Sequence, residues 1–474
     1  MQNLTFILRL VLLLLFLLPA RAELPQLGDP TQQNFSPQEE KQMGLNFYKA
    51  LRANLVFIDE LTVTQYLEDL GQRLVSHSDQ PDSQFKFFII NVPNINAFAG
   101  PDAYIGIHTG LILAADNEAE LAGVLAHEIS HVTQRHIARA ITESNTSPAA
   151  LFATILAGIL IGAQDPDAGA AIIYGGTAAM MQAQINFTRQ NEHEADRVGI
   201  ALLRDSGINP QGMADFFETL LEQVESNNQL AQMEYLRTHP LSSTRIAEAK
   251  NRLKASDSKL PSDSLNFQLC KAQLLLAVSA SPGKLIQNIQ ALDESKQNIL
   301  SQYTLGIALL ANDQATKAIS VLQSIIKQNN HPWFQLSLAQ AYEKNKQTDQ
   351  ALAVLSKLDA LYPNYLPVSI EYARVLNQTS QYTKAIQLLR QLLRYKQKPV
   401  IYQTLAQSYH GNGETALALE ATSFQYEYEG YIKLAFQQLD NALKLPKLES
   451  STRQRIESRK NMLMDTLDSN KQSN

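Results

Sequence analysis

The sequence predicts an α+β fold that is mainly α: a first domain of helices carrying a small β-sheet, followed by an α-solenoid of stacked helix pairs. Three observations predict it. Helix starts and helical apolar periods dominate from position 36 onward. The stretch 85–109 switches to β-rich residues broken by turn signals. From position 306 small and large apolar residues recur with a spacing of about 34.

Bulk properties agree. At 474 residues the chain is too long for one ordinary core. Its 45% hydrophobic and 18% charged residues are those of a globular protein. A formal net charge of -6 offers no basic field, and with no nucleic-acid motif present, no nucleic-acid partner is expected.

The first 22 residues read as an export signal. Arg9 precedes the unbroken apolar run Val11 to Leu18, Pro19 ends it, and Ala20-Arg21-Ala22 supplies small residues for cleavage. The run is short of the ~20 residues that a membrane span needs, so cleavage after Ala22 is expected, with no cysteine following it to carry a lipid. Cys270, the only cysteine, excludes an internal disulfide and a thiolate zinc site; between Leu269 and Leu274 it is expected to pack.

Each element then follows in order. Ser36-Pro37-Gln38-Glu39-Glu40 starts a helix, with a Ser cap, Pro at the first position and a carboxylate three residues past the cap. Its pattern runs through Leu45, Tyr48 and Leu51, and a second helix covers 63–75. Strands are expected at 85–92, 95–99 and 104–109, with Gly100-Pro101-Asp102 turning between the last two. Asp116 or Asn117 caps a long helix through His131. An apolar helical hairpin spans 149–187, divided at Asp165-Pro166-Asp167. Its Ala and Gly content, with Gln182 and Gln184, favours buried or cleft-covering helices over membrane spans and leaves peripheral membrane contact open.

The stretch 255–266 has no periodicity and is expected to link two domains. Beyond it, Gly306, Leu309, Ala318 and Leu322 are echoed by Ala339, Tyr342, Ala351 and Leu355. The set returns as Ala373, Leu376, Ala385 and Leu389, then as Ala406, Tyr409 and Ala418. Small residues at close-approach positions with large ones between them resemble tetratricopeptide repeats, helix pairs that bury a face only by stacking. The period breaks where Ala435 follows Ala418 and is unclear over 267–292.

The chemistry lies in His127-Glu128-Ile129-Ser130-His131. On a helix His127 and His131 share one face, where two imidazoles can hold one zinc ion. Glu128 beside them can take a proton from water and return it to a leaving amine. A catalytic zinc needs a third protein ligand and an open position. His136 lies five residues past His131, on a different face of a continuous helix, and the position six past His131 is Ile137, which excludes the metzincin pattern. Glu192 is the expected third ligand. Asp196, four residues on and on the same face, can hold a ligand histidine by its other ring nitrogen. His193 and Glu194 point elsewhere and are expected in solvent, with Glu194 the lesser candidate for the ligand role.

His239-Pro240 and Arg245 follow a helical stretch with reach enough to face the site. Two roles stand for them: either side chain stabilises the oxyanion of a tetrahedral intermediate, or His239 fills the open metal position and holds the enzyme idle. Asn96-Ala97-Phe98, with the strand to His108, is expected as an exposed sheet edge able to pair with an extended peptide; His108 itself is expected at the strand surface.

Together these residues resemble the gluzincin metallopeptidases that include the bacterial heat-shock protease HtpX and the CAAX prenyl protease. His127, Glu128, His131, Glu192 and Asp196 match the HExxH and later ExxxD pattern, and His239-Pro240 and Arg245 match as well. Within that family the signal, the repeats, Leu27-Gly28-Asp29, Ser36-Pro37 and the segment Asp69 to Leu74 are similar to periplasmic members. Pro101-Asp102-Ala103 departs from the paired glycines that relatives often place there. The resemblance implies a zincin-type metalloprotease domain with one Zn2+ per chain, in the periplasm of a Gram-negative bacterium. The implied substrates are outer-membrane β-barrel proteins, whose assembly it assists and whose stalled forms it degrades. The implied partners are the β-barrel assembly machinery and the lipopolysaccharide-transport barrel. The expected organisation is a signal at 1–22, a protease domain at 23–254, a linker at 255–266, tetratricopeptide repeats at 267–446 and a polar helix or tail at 447–474.

Overall fold

The computed structural model describes residues 36–144, 147–164, 178–227, 234–293 and 297–472. The expected signal, Leu27-Gly28-Asp29 and the turn at Asp165-Pro166-Asp167 lie outside the described residues.

Helix α1 (Pro37–Asn54) opens on the expected capping box: Ser36 Oγ accepts from the Glu39 amide at 3.2 Å, and the Glu39 carboxylate accepts from the Ser36 amide at 3.0 Å. Helix α2 (Leu61–Val75) starts where Glu60 accepts from the Val63 amide at 2.8 Å. Three strands follow, β1 (Lys86–Ile90), β2 (Ala97–Ala99) and β3 (Tyr104–His108), in the order β1-β3-β2. β3 runs parallel to β1 and antiparallel to β2. The return from β2 to β3 places Asp102 and Ala103 each at φ 55°. Glycine adopts such left-handed backbone most readily; here Asp102 is tied down by an ion pair with Lys86.

β2 is an edge strand, as expected, but not an exposed one: Asn96, Ala97 and Phe98 are buried. The expected surface position of His108 is also corrected. It lies opposite Ile90 in the β3–β1 register, fully buried, with its ring edge-on to Phe98. Burial pushes the His108 imidazole down from 6.5 to about 4. The neutral ring is therefore the native form, whereas the unfolded chain takes up its proton near 6.5. Stability from this residue is complete above pH 6.5 and is lost as pH falls toward 4, by ~3 kcal/mol. Denaturant unfolding of His108→Gln across that window is expected to show a shallower pH slope than the wild type; equal slopes would refute the assignment.

Helix α3 (Thr109–Ala114) leads to α4 (Glu118–Thr133), capped by Asn117, whose Oδ1 accepts from the Glu120 amide at 3.2 Å. α4 is the central helix, buried almost without interruption from Ala119 to Ser130. It lies against α7 (Ala178–Asp205) and α8 (Gln211–Asn227). The α8 approach is close enough to require glycine: a Cβ on Gly212 would lie 2.3 Å from the Ala119 carbonyl carbon. Gly212→Ala is expected to cost about 1–3 kcal/mol through forced separation of the two helices. A lowered Tm in a thermal melt checks this, and an unchanged Tm would contradict it.

α5 (His136–Ser144) leaves α4 at a sharp bend, with Arg135 at φ 55°. α6 (Pro148–Gly162) covers the first of the two apolar helices expected over 149–187. It packs Ile155, Leu156 and Ile159 with the aromatic cluster of Phe47, Phe88, Phe98 and Tyr104, and packs Phe152 against Met43 and Ile137. No described helix is long and apolar enough to cross a membrane. The domain closes with α9 (Glu234–Thr238) and α10 (Ser243–Asn251).

The stretch expected as a linker is laid against this domain. Arg204 grips Asp257 through two bonds of 2.9 and 2.8 Å, and the Ala119 amide at the start of α4 donates to the Ser262 carbonyl at 2.8 Å. Helices α11 (Leu265–Val278) to α22 (Ser450–Gln472) then form the repeat array. Within it α13 (Ile299–Ala311) pairs with α14 (Ala315–Gln328), and α15 (Pro332–Lys344) with α16 (Thr348–Leu361). α17 (Leu366–Gln378) pairs likewise with α18 (Tyr382–Leu392), and α19 (Pro399–Gly411) with α20 (Thr415–Tyr428). Each pair turns on a left-handed residue, Asp313, Lys346, Ser380 and Gly413 in succession. Ala318, Ala339, Ala351, Ala373 and Ala385 are fully buried within the array. The array curls back onto α2, where Lys396 donates to Gln65 at 2.8 Å and Lys398 pairs with Glu68 at 3.3 Å.

Candidate metal centre

Four side chains converge on one point: His127 and His131 from α4, Glu192 from α7, and His239 just after α9. One ligand-type atom of each lies within 4.8 Å of all the others. The helical spacing puts the two histidines on one face, with their Nε2 atoms 3.0 Å apart. Glu192 stands 3.3 Å from His127 Nε2 and 3.4 Å from His131 Nε2. His239 Nδ1 lies 3.1 and 3.2 Å from the two Glu192 oxygens and 3.3 Å from His127 Nε2.

Asp196, one turn past Glu192, approaches His127 Nδ1 at 3.0 Å. Arg245 holds Asp196 by Nε at 2.7 Å and Nη2 at 2.8 Å, reaches Glu192 by Nη1 at 2.9 Å, and donates to the Pro240 carbonyl at 2.9 Å. Its donors are committed to orienting the ligand carboxylates and the loop behind His239. That geometry differs from the oxyanion role the sequence left open for Arg245.

These residues fit a cation. His127 turns Nδ1 outward to Asp196, so its Nε2 lone pair faces inward, and Glu192 adds a carboxylate to the same buried space. Glu192 and Asp196 share one guanidinium, Arg245, so one carboxylate charge is left for the His127 ring or a cation to balance. Burial alone would raise the Glu192 carboxyl, yet His239 and His127 hold it well below the usual carboxylate range. Burial opposes a charge on His127, but Glu192 and Asp196 outweigh it and push the ring up to about 10. His131, where burial wins, falls to about 3.

Glu128 lies beside the ligand group, buried, with its Oε1 3.4 Å from His239 Nε2. Burial lifts its carboxyl above the ordinary value, the direction that suits a proton acceptor working near neutrality. A cavity of about 220 Å³ opens beside His131, between Gly100 and Asp102 of the β2–β3 turn and Val132, Ile137 and Phe152.

The sequence did not single out Tyr235, and it weighed His136 and Glu194 only as ligands that it set behind Glu192. Tyr235, four residues before His239, is buried with its ring 4.7 Å from the His239 ring, and its amide donates to the Ile95 carbonyl at 3.1 Å. That bond anchors α9 to the entry of the edge strand. His136 and Glu194, expected on another face and in solvent, meet instead behind His131: His136 Nδ1 is 2.8 Å from His131 Nδ1, and its Nε2 is 3.2 Å from Glu194.

A buried histidine-carboxylate cluster with an adjoining glutamate, joined to a helical-repeat array, defines a metallopeptidase carrying a protein-binding solenoid. Comparison with known proteins agrees. The model of peptidase family M48 matches residues 62–253, and that of the tetratricopeptide repeat matches 309–365 and 342–409. The β-barrel assembly-enhancing protease of Escherichia coli K12 is 34% identical over 371 residues, covering 70% of this chain and 76% of its own. A relative in Vibrio cholerae is 31% identical over 449 residues, 93% of this chain and 92% of its own. The chain belongs to the β-barrel assembly-enhancing protease family, M48 metallopeptidases with tetratricopeptide repeats.

Proposed function

We propose that this chain is a zinc endopeptidase of the periplasm that degrades misfolded or stalled outer-membrane β-barrel proteins and assists their assembly. The carrying observation is the convergence of His127, His131 and Glu192 on one buried point with Glu128 alongside. Two imidazoles and a carboxylate are borderline nitrogen and oxygen donors, the set that zinc takes at catalytic sites. The names of the relatives support the choice of clients and compartment.

When bound, zinc supplies Lewis acidity toward the scissile carbonyl and the attacking water. Glu128 accepts the proton of that water and delivers it to the leaving amine. Asp196 fixes the His127 ring, and Arg245 fixes Asp196 and Glu192 together. The repeats hold clients or the assembly machinery near the centre, raising effective concentration rather than adding chemistry. His239 occupies the remaining side of the ligand group as its fourth member, so the resting enzyme is capped and cleaves only when the α9 segment moves. This favours the idle-state role over oxyanion stabilisation, because His239 already touches Glu192, His127 and Glu128.

Cleavage of a urea-unfolded outer-membrane β-barrel by the purified protein tests the proposal. Phenanthroline is expected to stop cleavage and an equivalent of Zn2+ to restore it. Cleavage that persists under chelation would overturn the reading.

A further inference from the structure

We propose that His136 is a positioning residue for the metal centre: it fixes the ring of His131 from behind, and is itself fixed by Glu194 and Arg139. The inference rests on the metal-centre reading above and extends it by one layer. His131 presents Nε2 to the ligand group and Nδ1 to His136 Nδ1 at 2.8 Å. A neutral imidazole that ligates through Nε2 carries its proton on Nδ1. That proton is donated to His136 Nδ1, so the His136 proton resides on Nε2, aimed at Glu194 Oε2 at 3.2 Å. Glu194 Oε2 in turn accepts from Arg139 Nη2 at 2.7 Å, and its Oε1 lies 3.5 Å from Arg197.

One proton assignment satisfies every link. The reverse assignment would place a proton on His131 Nε2, where the ion is to be held. His136 is 3% exposed, so bulk water does not substitute for it. The two ligand histidines are thus supported differently, His127 by a carboxylate directly and His131 by an imidazole relayed to a carboxylate. Both carboxylates follow Glu192 on α7, two and four residues past it. The bend at Arg135 makes this possible, since it turns the start of α5 back beneath His131. Removing the relay frees the His131 ring to rotate or change tautomer, and partners of this kind are worth roughly 10–100-fold in metal affinity.

The test is zinc affinity of the full-length protein, measured by competition with a chromophoric chelator, with thermal melts of the metal-free forms to confirm folding. His136→Ala is expected to bind zinc about 10–100-fold more weakly. His136→Asn, whose side-chain carbonyl reaches the place of Nδ1 and can accept the His131 proton, is expected to recover most of that loss. Glu194→Ala, at a partly exposed position, provides a second reading of the same relay and is expected to weaken zinc severalfold. Wild-type affinity in both alanine variants would overturn the inference, as would an asparagine variant no better than alanine. A wild-type protein that binds no zinc would instead overturn the metal centre itself.

Discussion

Glu128→Gln is expected to lower kcat/KM for an unfolded β-barrel substrate by about 10²–10⁴-fold, the range for losing a general base. The substitution preserves size and keeps an acceptor oxygen on the buried side chain. Glu128 is not among the ligand-bearing side chains, so metal content is expected to stay unchanged. What disappears is the ability to take a proton from water. Elemental analysis beside a gel-based cleavage assay separates the two effects. A variant that cleaves at the wild-type rate would remove Glu128 from the reaction, and one that loses its metal would make it structural.

His239→Ala is expected to act in the opposite direction, raising cleavage of the same substrate roughly tenfold. An enzyme whose competent form is a minor fraction of the population has its apparent activity reduced by that fraction. His239 Nδ1 sits 3.1 Å from Glu192 and its Nε2 3.4 Å from Glu128, so the ring fills the space between ligand group and base. The cap is held by the Tyr235 amide on the Ile95 carbonyl and by the Tyr235 ring tilted against His239 at 4.7 Å. An oxyanion donor would behave otherwise: its removal slows turnover. A fall in kcat on His239→Ala would therefore reject the capped resting state and restore the oxyanion role.

The first two layers of the centre were legible in the sequence because they obey helical spacing. His127 and His131 stand four apart on α4, and Glu192 and Asp196 four apart on α7, so each pair shares a face before any fold is known. The long-range meeting of those faces was inferred from the need of a catalytic zinc for a third ligand, and then from the family resemblance. His136 was misplaced for a specific reason. Five residues along an unbroken helix amount to about 500°, which faces away from His131. The helix is broken, however, at Arg135, a non-glycine residue at φ 55° that nothing in the local composition announces. Glu194 was misread for the same cause, since the surface it occupies is covered only by the redirected α5. In the array, the repeat of Ala318, Ala351 and Ala385 foretold positions that are fully buried. The left-handed turn residues were invisible, because Asp313, Lys346 and Ser380 share no residue type.

The most direct test is the zinc content of the purified full-length protein after equilibration with Zn2+ and dialysis, beside the His131→Ala/Glu192→Gln double variant. The centre built from His127, His131 and Glu192 requires about one zinc per chain in the wild type and almost none in the double variant. A zinc-free wild type, or equal zinc in both proteins, would contradict it.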